Sequence, residues 1–124
     1  MVITIDGAAG VGKSSTAKEL AKRLGYKYFD TGAMYRAVTF YFLAENIDLE
    51  SNSQVIKSLS SIKLHIDFSF EKEMRIFLNE EDISLKIRSQ KVTSTVSTVS
   101  AIKEVREMMV KIQRSFTESG NFVV

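Results

Sequence analysis

The sequence predicts an α/β fold, in which helices flank a parallel sheet and a small unit containing an antiparallel hairpin is inserted. Residues 1–46 alternate short β-rich runs with runs of helical period, and the order strand, helix, strand, helix is typical of parallel sheets. Residues 62–79 instead alternate apolar and polar positions, as antiparallel strands with one solvated face do. The chain has 124 residues, 44% of them hydrophobic, so we expect one domain core rather than two.

The first predicted strand is the apolar run "VITI" at 2–5, which has the pattern of a strand buried on both faces. A glycine-rich loop follows, and then a helix that is predicted to begin at Lys13 and to stop at Gly25. The apolar residues of this helix recur at i, i+3, i+4 and i+7: Ala17, Leu20, Ala21 and Leu24. A second strand is predicted at 26–29.

The middle of the chain is predicted to hold one more helix and the hairpin. The helix covers 30–46 and carries an apolar face made of Ala33, Ala37, Phe40 and Ala44. The hairpin strands are predicted at 62–69 and 74–79, with His65 on the solvated face. The Ser/Thr/Val-rich stretch 89–100 is ambiguous, although three residues would share one helical face: Val92, Val96 and Val99.

The C-terminal part is predicted to form a helix and a strand. The helix covers 100–119, with Ser100 as its N-cap and Gly120 as its stop. The run "FVV" at 122–124 indicates the start of another buried parallel strand. Because a parallel sheet needs both faces covered and only three candidate parallel strands are present, we expect the N-terminal part of a longer protein, with an incomplete sheet.

Composition excludes several classes of function. Seventeen Lys and Arg against fifteen Asp and Glu give a net charge of +2, which argues against a nucleic-acid-coating surface and an anionic membrane partner. The absence of cysteine excludes disulfides and thiolate sites, and a single histidine argues against zinc. No targeting segment or apolar span is visible, so we expect a cytoplasmic protein.

The glycine-rich loop at 7–14 fits GxxxxGK[ST], the phosphate-binding loop of P-loop NTPases. Small side chains let consecutive backbone N–H groups surround a phosphate chain, and the following helix adds its own N–H groups and positive dipole end. Lys13 can then reach the β and γ phosphates, while the Ser14 hydroxyl can ligate Mg²⁺. The loop therefore predicts a nucleoside triphosphate and its metal as ligands.

Other interpretations of the loop fit less well. A dinucleotide-binding GxGxxG starting at Gly10 would need glycine where Ser15 stands. A glycine-rich turn that only caps a helix would not require Lys13 followed by Ser14. ATP-dependent kinases and GTPases can share this loop; a GTPase would be expected to carry the guanine-reading NKxD, which does not occur in this chain, and its absence is modest evidence against a GTPase.

The stretch "FDTGAMYR" predicts a second phosphate site. Asp30 ends a strand, and Thr31, Gly32, Tyr35 and Arg36 follow within two helical turns. Arg36 can grip a phosphate through a bidentate fork. If the first two strands are neighbours in the sheet, this site lies beside the phosphate loop.

With these residues the chain resembles the bacterial cytidylate kinases, within the nucleoside monophosphate kinases. The resemblance rests on "ITIDGAAGVGKSS", "FDTGAMYR", "EDISLKIRSQKV" and "VREMMVKIQRSF", which cover most of the chain. It implies a P-loop kinase in which ATP phosphorylates CMP or dCMP. We expect the protein to be a monomer. It also implies an incomplete kinase core at 1–36 and 97–124, with a monophosphate-binding insert at 37–96.

The resemblance implies a role for particular residues. Those that would hold the ATP phosphates are Gly7, Ala8, Ala9, Gly10, Val11, Gly12, Lys13, Ser14 and Ser15, with Lys13 catalytic and Ser14 on the metal. Thr31 and Arg36 would hold the monophosphate, and Asp30 would help to order that site. Ser97 and Arg106 would contact the acceptor nucleotide, with Ser97 close to the cytosine. Thr31 replaces the serine often seen in this motif and keeps the hydroxyl.

The family continues beyond a run like "FVV" with an acidic residue, a glycine, an Arg-Asp pair and an arginine-bearing lid, none of which occurs here. Phosphoryl transfer depends on such charges, so we expect these 124 residues alone to be poorly active or inactive. Two alternatives stay open. One is another P-loop small-molecule kinase acting on UMP, AMP or shikimate, and the other is a nucleotide-binding module without catalysis.

Overall fold

The computed structural model describes residues 1–5, 13–70 and 73–124 and confirms the α/β class. A parallel sheet has the strand order β1-β6-β2, with β1 at Val2–Ile3, β2 at Lys27–Tyr28 and β6 at Phe122–Val123. A second, antiparallel sheet has the order β3-β4-β5. No helix in the described ranges is long and apolar enough to cross a membrane.

The last strand lies in the middle of the parallel sheet, so β1 and β2 are not neighbours. The condition under which the second phosphate site is expected beside the phosphate loop is therefore not met. Both residues of β6 are buried, with Phe122 3% and Val123 0% exposed, whereas Val2 in β1 is 44% exposed. The expectation that the first strand is buried on both faces is therefore wrong. The central strand has a hydrogen-bonded neighbour at both of its edges, whereas β1 has one neighbour in this sheet and its Val2 stays partly exposed.

Helix α1, Lys13–Leu24, begins and ends where the sequence predicts. Ala17 and Ala21 face the sheet and are buried, but Leu24 is 44% exposed. Gly25 ends the helix with φ of 69°, a left-handed conformation that glycine adopts without steric strain. The chain then turns directly into β2, since the Tyr26 N–H donates to the Ala21 carbonyl at 2.9 Å.

Helix α2, Thr31–Ala44, is the central helix of the molecule. Its buried residues lie on more than one face: Met34, Ala37, Val38, Thr39, Tyr41 and Phe42. Of the predicted apolar face only Ala37 is fully buried, and Ala44 is exposed. The predicted stripe fails because α2 is packed against several helices and β4, so burial does not follow one period.

Helix α3, Asn52–Ser61, is not among the predicted elements. Its N-cap is Ser51, whose hydroxyl accepts a hydrogen bond from the Gln54 N–H. Only Val55 and Ser58 are buried, so the sequence shows no long apolar stripe here.

The predicted hairpin is confirmed, with β3 at Leu64–Phe70 and β4 at Glu73–Leu78. A short strand β5, Glu81–Asp82, extends this sheet. Ile66 pairs with Ile76 across the hairpin, and both side chains are buried. His65 is exposed on the opposite face, as the alternation predicts.

Two helices follow the antiparallel sheet. The stretch 89–100, whose sequence is ambiguous, forms the first of them. A 3-10 turn at Lys86–Arg88 leads into α4, Gln90–Ser100, and α5 covers Lys103–Thr117. Ser100 is the last residue of α4, so the prediction that it caps α5 is wrong. The N-cap position of α5 is Ile102, which offers no side-chain oxygen. Buried apolar residues lie on both sides of the interruption between the two helices, with Val99 in α4 and Val105 in α5.

One cluster of phenylalanine rings joins the two sheets. Phe29 and Phe122 belong to the parallel sheet and its edge, Phe68 to β3 and Phe116 to α5. The Phe68 ring lies 5.4 Å from that of Phe122 and 6.0 Å from that of Phe29. The buried core thus crosses the predicted domain boundaries after 36 and before 97, and the division into core and insert stays a prediction.

Candidate active site

The predicted phosphate loop is bounded by the elements that the motif requires. On one side the Ile5 N–H donates to the Val124 carbonyl at 3.0 Å, next to the central strand. On the other side α1 begins at Lys13. The loop residues Gly7, Ala8, Ala9, Gly10, Val11 and Gly12 lie outside the described residues, as do the side chains of Lys13 and Ser14. Ser15 is exposed on the first turn of α1.

The first turn of α2 is organised by Asp30. Its backbone is extended, with φ of −86° and ψ of 93°, and its carboxylate accepts a hydrogen bond from the Ala33 N–H at 3.0 Å. Asp30 is therefore the N-cap, and Thr31 is the first residue of the helix. The predicted role of Asp30 in ordering this region agrees with the capping bond, whereas its contact with a substrate stays a prediction.

Arg36 lies against α4 and the 3-10 turn. Its Nη1 donates to the Thr93 hydroxyl at 2.9 Å and lies 3.4 Å from the Ile87 carbonyl oxygen, with which it also makes a hydrogen bond. The side chain is half-buried. Arg36 is thus attached to two elements that are more than fifty residues away in sequence.

Arg106 is exposed on α5, and its charge acts on Tyr35, the neighbour of Arg36 in α2. Burial raises the pKa of Tyr35, and the positive charge of Arg106 opposes that rise. Tyr35 and Arg106 also line one side of an open cleft of about 810 Å³ along α5. Arg106 therefore lies close enough to influence Tyr35, the residue before Arg36 in α2.

Ser97 is exposed on α4, one helical turn after Thr93. Residues four apart in a helix share a face, so Ser97 and Thr93 lie on the same side of α4. In the described part of the chain the Ser97 hydroxyl makes no hydrogen bond. Ser97 thus lies on α4, the helix whose Thr93 accepts a hydrogen bond from Arg36. Within the described residues, the Ser97 and Arg36 side chains are not hydrogen-bonded to each other.

Sequence reasoning missed two parts of this region. One is Thr93, whose bond to Arg36 appears only when α2 and α4 are packed together. The other is a cleft of about 900 Å³ between α1 and the antiparallel sheet, which reaches Asp30. Its cationic lining residues are Lys18, Lys22, Arg75 and Arg88. The cleft is thus lined by more positive than negative side chains, since Asp30 is the acidic residue among them. Such a lining suits an anionic ligand.

The chain is similar in sequence to known proteins. The family profile described as Cytidylate kinase matches residues 3–124. The cytidylate kinase of Caldanaerobacter subterraneus subsp. tengcongensis is 48% identical over 98% of this chain and 52% of its own length. That of Lactiplantibacillus plantarum is 42% identical over 98% of this chain and 53% of its own length.

A two-function protein is also similar. The bifunctional pantoate ligase/cytidylate kinase of Prochlorococcus marinus strain AS9601 is 42% identical over 98% of this chain and 24% of its own length. The chain spans about half the length of the single-function cytidylate kinases that it matches. Because the family profile covers nearly every residue, the chain belongs to the cytidylate kinase family.

Proposed function

We propose that the protein phosphorylates CMP and dCMP, with ATP as the phosphoryl donor. The observation that carries the proposal is the position of Arg36 in the second turn of α2, after the N-cap Asp30, with one guanidinium nitrogen held by Thr93 and Ile87. A guanidinium group suits a nucleotide that carries a phosphate, because it can hold an oxyanion with parallel N–H donors. Family membership supports the same assignment.

The donor would bind at the loop between β1 and α1. Residues 7–15 would surround the ATP phosphates with backbone N–H groups, aided by the N-terminal end of α1. Lys13 would neutralise charge on the β and γ phosphates during transfer. The Ser14 hydroxyl is an oxygen donor of the kind Mg²⁺ accepts, and the metal would supply further charge neutralisation there.

The acceptor would bind at the N-terminal half of α2. Thr31 and Arg36 would hold the phosphate of CMP, while Ser97 and Arg106 would contact the rest of the nucleotide. An oxygen of the CMP phosphate forms the new bond to the γ phosphorus, and the bond from that phosphorus to ADP breaks. These residues act chiefly by alignment and by stabilising charge, which supply most of the catalysis in phosphoryl transfer.

The acceptor assignment is tested with a coupled assay of ADP release on the protein in its full natural length. CMP, dCMP, UMP, AMP and shikimate are compared at equal concentrations and saturating ATP. We expect the highest kcat/KM with CMP or dCMP. Preference for UMP, AMP or shikimate would reject the assignment. Binding of ATP without any effect of CMP on turnover or thermal stability would indicate a non-catalytic nucleotide-binding module.

The role of Lys13 gives a first prediction. Lys13→Ala should lower kcat by at least about 100-fold, because one electrostatic contact to the transferring group typically contributes that much. The matched control is Lys57→Ala, on the exposed face of α3, which should leave kcat unchanged. Full turnover by the Lys13 variant contradicts the assignment.

The monomeric state and the cytoplasmic location stay predictions.

A further inference from the structure

Among the described residues, the hydrogen bonds of the Arg36 side chain use one of its three nitrogens. Nη1 carries two hydrogens, and it serves both the Thr93 hydroxyl and the Ile87 carbonyl. A guanidinium group has five N–H donors in a fixed plane. The three that are left belong to Nη2 and Nε, and in the described part of the chain they make no hydrogen bond.

The remaining edge has the geometry that a phosphate requires. The Nη2 and Nε hydrogens along one edge of a guanidinium are parallel, so they can donate to two oxygens of the same oxyanion. The bonds to Thr93 and Ile87 restrict rotation of the guanidinium without occupying this edge. The arginine is thus held in one orientation while its bidentate edge stays available.

We propose that Thr93 is a positioning residue that orients Arg36 toward the phosphate of the acceptor nucleotide. The proposal rests on the function proposed above, in which Arg36 binds that phosphate. Thr93 also lies on the same face of α4 as Ser97. One helix therefore both orients the phosphate-binding arginine and carries the residue expected near the base.

A purely structural role for Thr93 is disfavoured by its surroundings. Thr93 is exposed, and the neighbouring Val92 supplies the buried contact of this turn. The opposite functional role would be that Thr93 withholds Arg36 from the substrate. In that case removal of the hydroxyl would tighten acceptor binding, so the two roles predict opposite changes in KM.

The test compares Thr93→Val, which keeps the shape and loses the hydroxyl, with Thr93→Ser, which keeps the hydroxyl. CMP is varied at saturating ATP with the full-length protein. For Thr93→Val we expect KM for CMP to rise about 5- to 20-fold, the effect of losing an exposed hydrogen bond to a charged group. The kcat and the KM for ATP should change less than about twofold. Thr93→Ser should behave like the unmodified protein.

Thr95→Val is the matched control on the same helix, because the Thr95 hydroxyl donates to the Lys91 carbonyl of its own helix. This variant should leave KM for CMP unchanged. The proposal is overturned by an unchanged or lowered KM in Thr93→Val, or by an equal rise in KM in Thr93→Ser or Thr95→Val.

A second measurement separates this proposal from the substrate assignment. Hindered rotation of a hydrogen-bonded guanidinium gives separate NMR signals for its Nη groups. The unmodified protein should show separate Arg36 signals, and Thr93→Val should show averaged ones. Averaged Arg36 signals in the unmodified protein would refute the tether whatever the acceptor is. If the enzyme rejects CMP but accepts another monophosphate, only the proposed substrate fails, and the KM comparison is made with that acceptor.

Discussion

Asp30 shows how one side chain supports the candidate site. Its carboxylate accepts the Ala33 N–H at 3.0 Å and closes the first turn of α2, the helix that carries Thr31 and Arg36. We expect Asp30→Ala to lower the free energy of unfolding by about 1 kcal/mol, the usual cost of losing an N-cap. Urea denaturation monitored by circular dichroism measures this change.

Asp30→Asn is the informative control, because asparagine caps a helix about as well as aspartate. It should keep the stability of the unmodified protein. If Asp30→Asn nevertheless weakens CMP binding, the charge of Asp30 acts on the substrate in addition to capping. An alanine variant as stable as the unmodified protein would show that the capping bond contributes nothing.

The candidate site residues differ in how far sequence could predict them. The phosphate loop and the start of α2 are local motifs, so Lys13, Asp30 and Arg36 can be singled out from a few consecutive residues. The partner of Arg36 could not be found in this way. Thr93 lies 57 residues away in a Ser/Thr-rich tract, and only the packing of α2 on α4 distinguishes it from its neighbours.

At the scale of secondary structure, Ser84 links two strands of the antiparallel sheet. Its hydroxyl accepts a hydrogen bond from the buried Ile76 N–H of β4 at 3.1 Å. Its backbone N–H donates to the carboxylate of Asp82 in β5 at 2.9 Å. We expect Ser84→Ala to lower the free energy of unfolding by about 1–2 kcal/mol, because a buried backbone donor loses its partner. Urea denaturation at neutral pH measures the loss.

The same substitution should change the acid dependence of stability. Hydrogen bonds from the Ser84 side chain, and then from its backbone, lower the pKa of Asp82 below its usual value of 3.8. The unfolded chain therefore takes up the proton first, so this contribution is present above pH 3.8 and is lost as the pH falls further. Ser84→Ala should weaken this acid dependence. Ser60→Ala on exposed α3 is the control and should change neither quantity, whereas an equal effect in both variants would contradict the assignment.

The predicted elements succeeded where a single face of an element is buried. The hairpin and α1 each bury one face, so their periods are visible in the sequence. Helix α3 was missed because it buries only Val55 and Ser58. The start of α5 was misplaced because buried apolar residues continue from Val99 to Val105, on both sides of the interruption between α4 and α5. Local periodicity reports burial, and it does not report where backbone hydrogen bonding stops.

At the scale of the whole molecule, strand order is the property that sequence did not predict. The position of β6 between β1 and β2 joins residues about 120 apart, as the pairing of Val2 with Phe122 illustrates. No local pattern specifies such a pairing. It depends on the packing of the whole sheet, in which Phe122 and Val123 of β6 are both buried.

The phenylalanine cluster makes a prediction about cooperativity. The Phe68 ring packs on Phe29 and Phe122 and so connects the antiparallel sheet to the parallel one. We expect Phe68→Ala to lower the free energy of unfolding by about 3–5 kcal/mol, a large part of the stability of a domain this size. Because one core serves both sheets, the loss should appear in both of them at once.

Amide hydrogen exchange can follow each sheet separately. The Phe29 N–H, bonded to the Val123 carbonyl at 2.8 Å, reports on the parallel sheet. The Ile83 N–H, bonded to the Ile76 carbonyl at 3.0 Å, reports on the antiparallel one. Phe68→Ala should reduce protection equally at both amides, since opening either sheet exposes the shared cluster.

The half-buried Phe77, whose ring contacts exposed His65, supplies the control. Phe77→Ala should lower the free energy of unfolding by less than half as much as Phe68→Ala. Loss of protection at Ile83 alone would mean that the sheets unfold independently, and residues 37–96 would then behave as a separate domain.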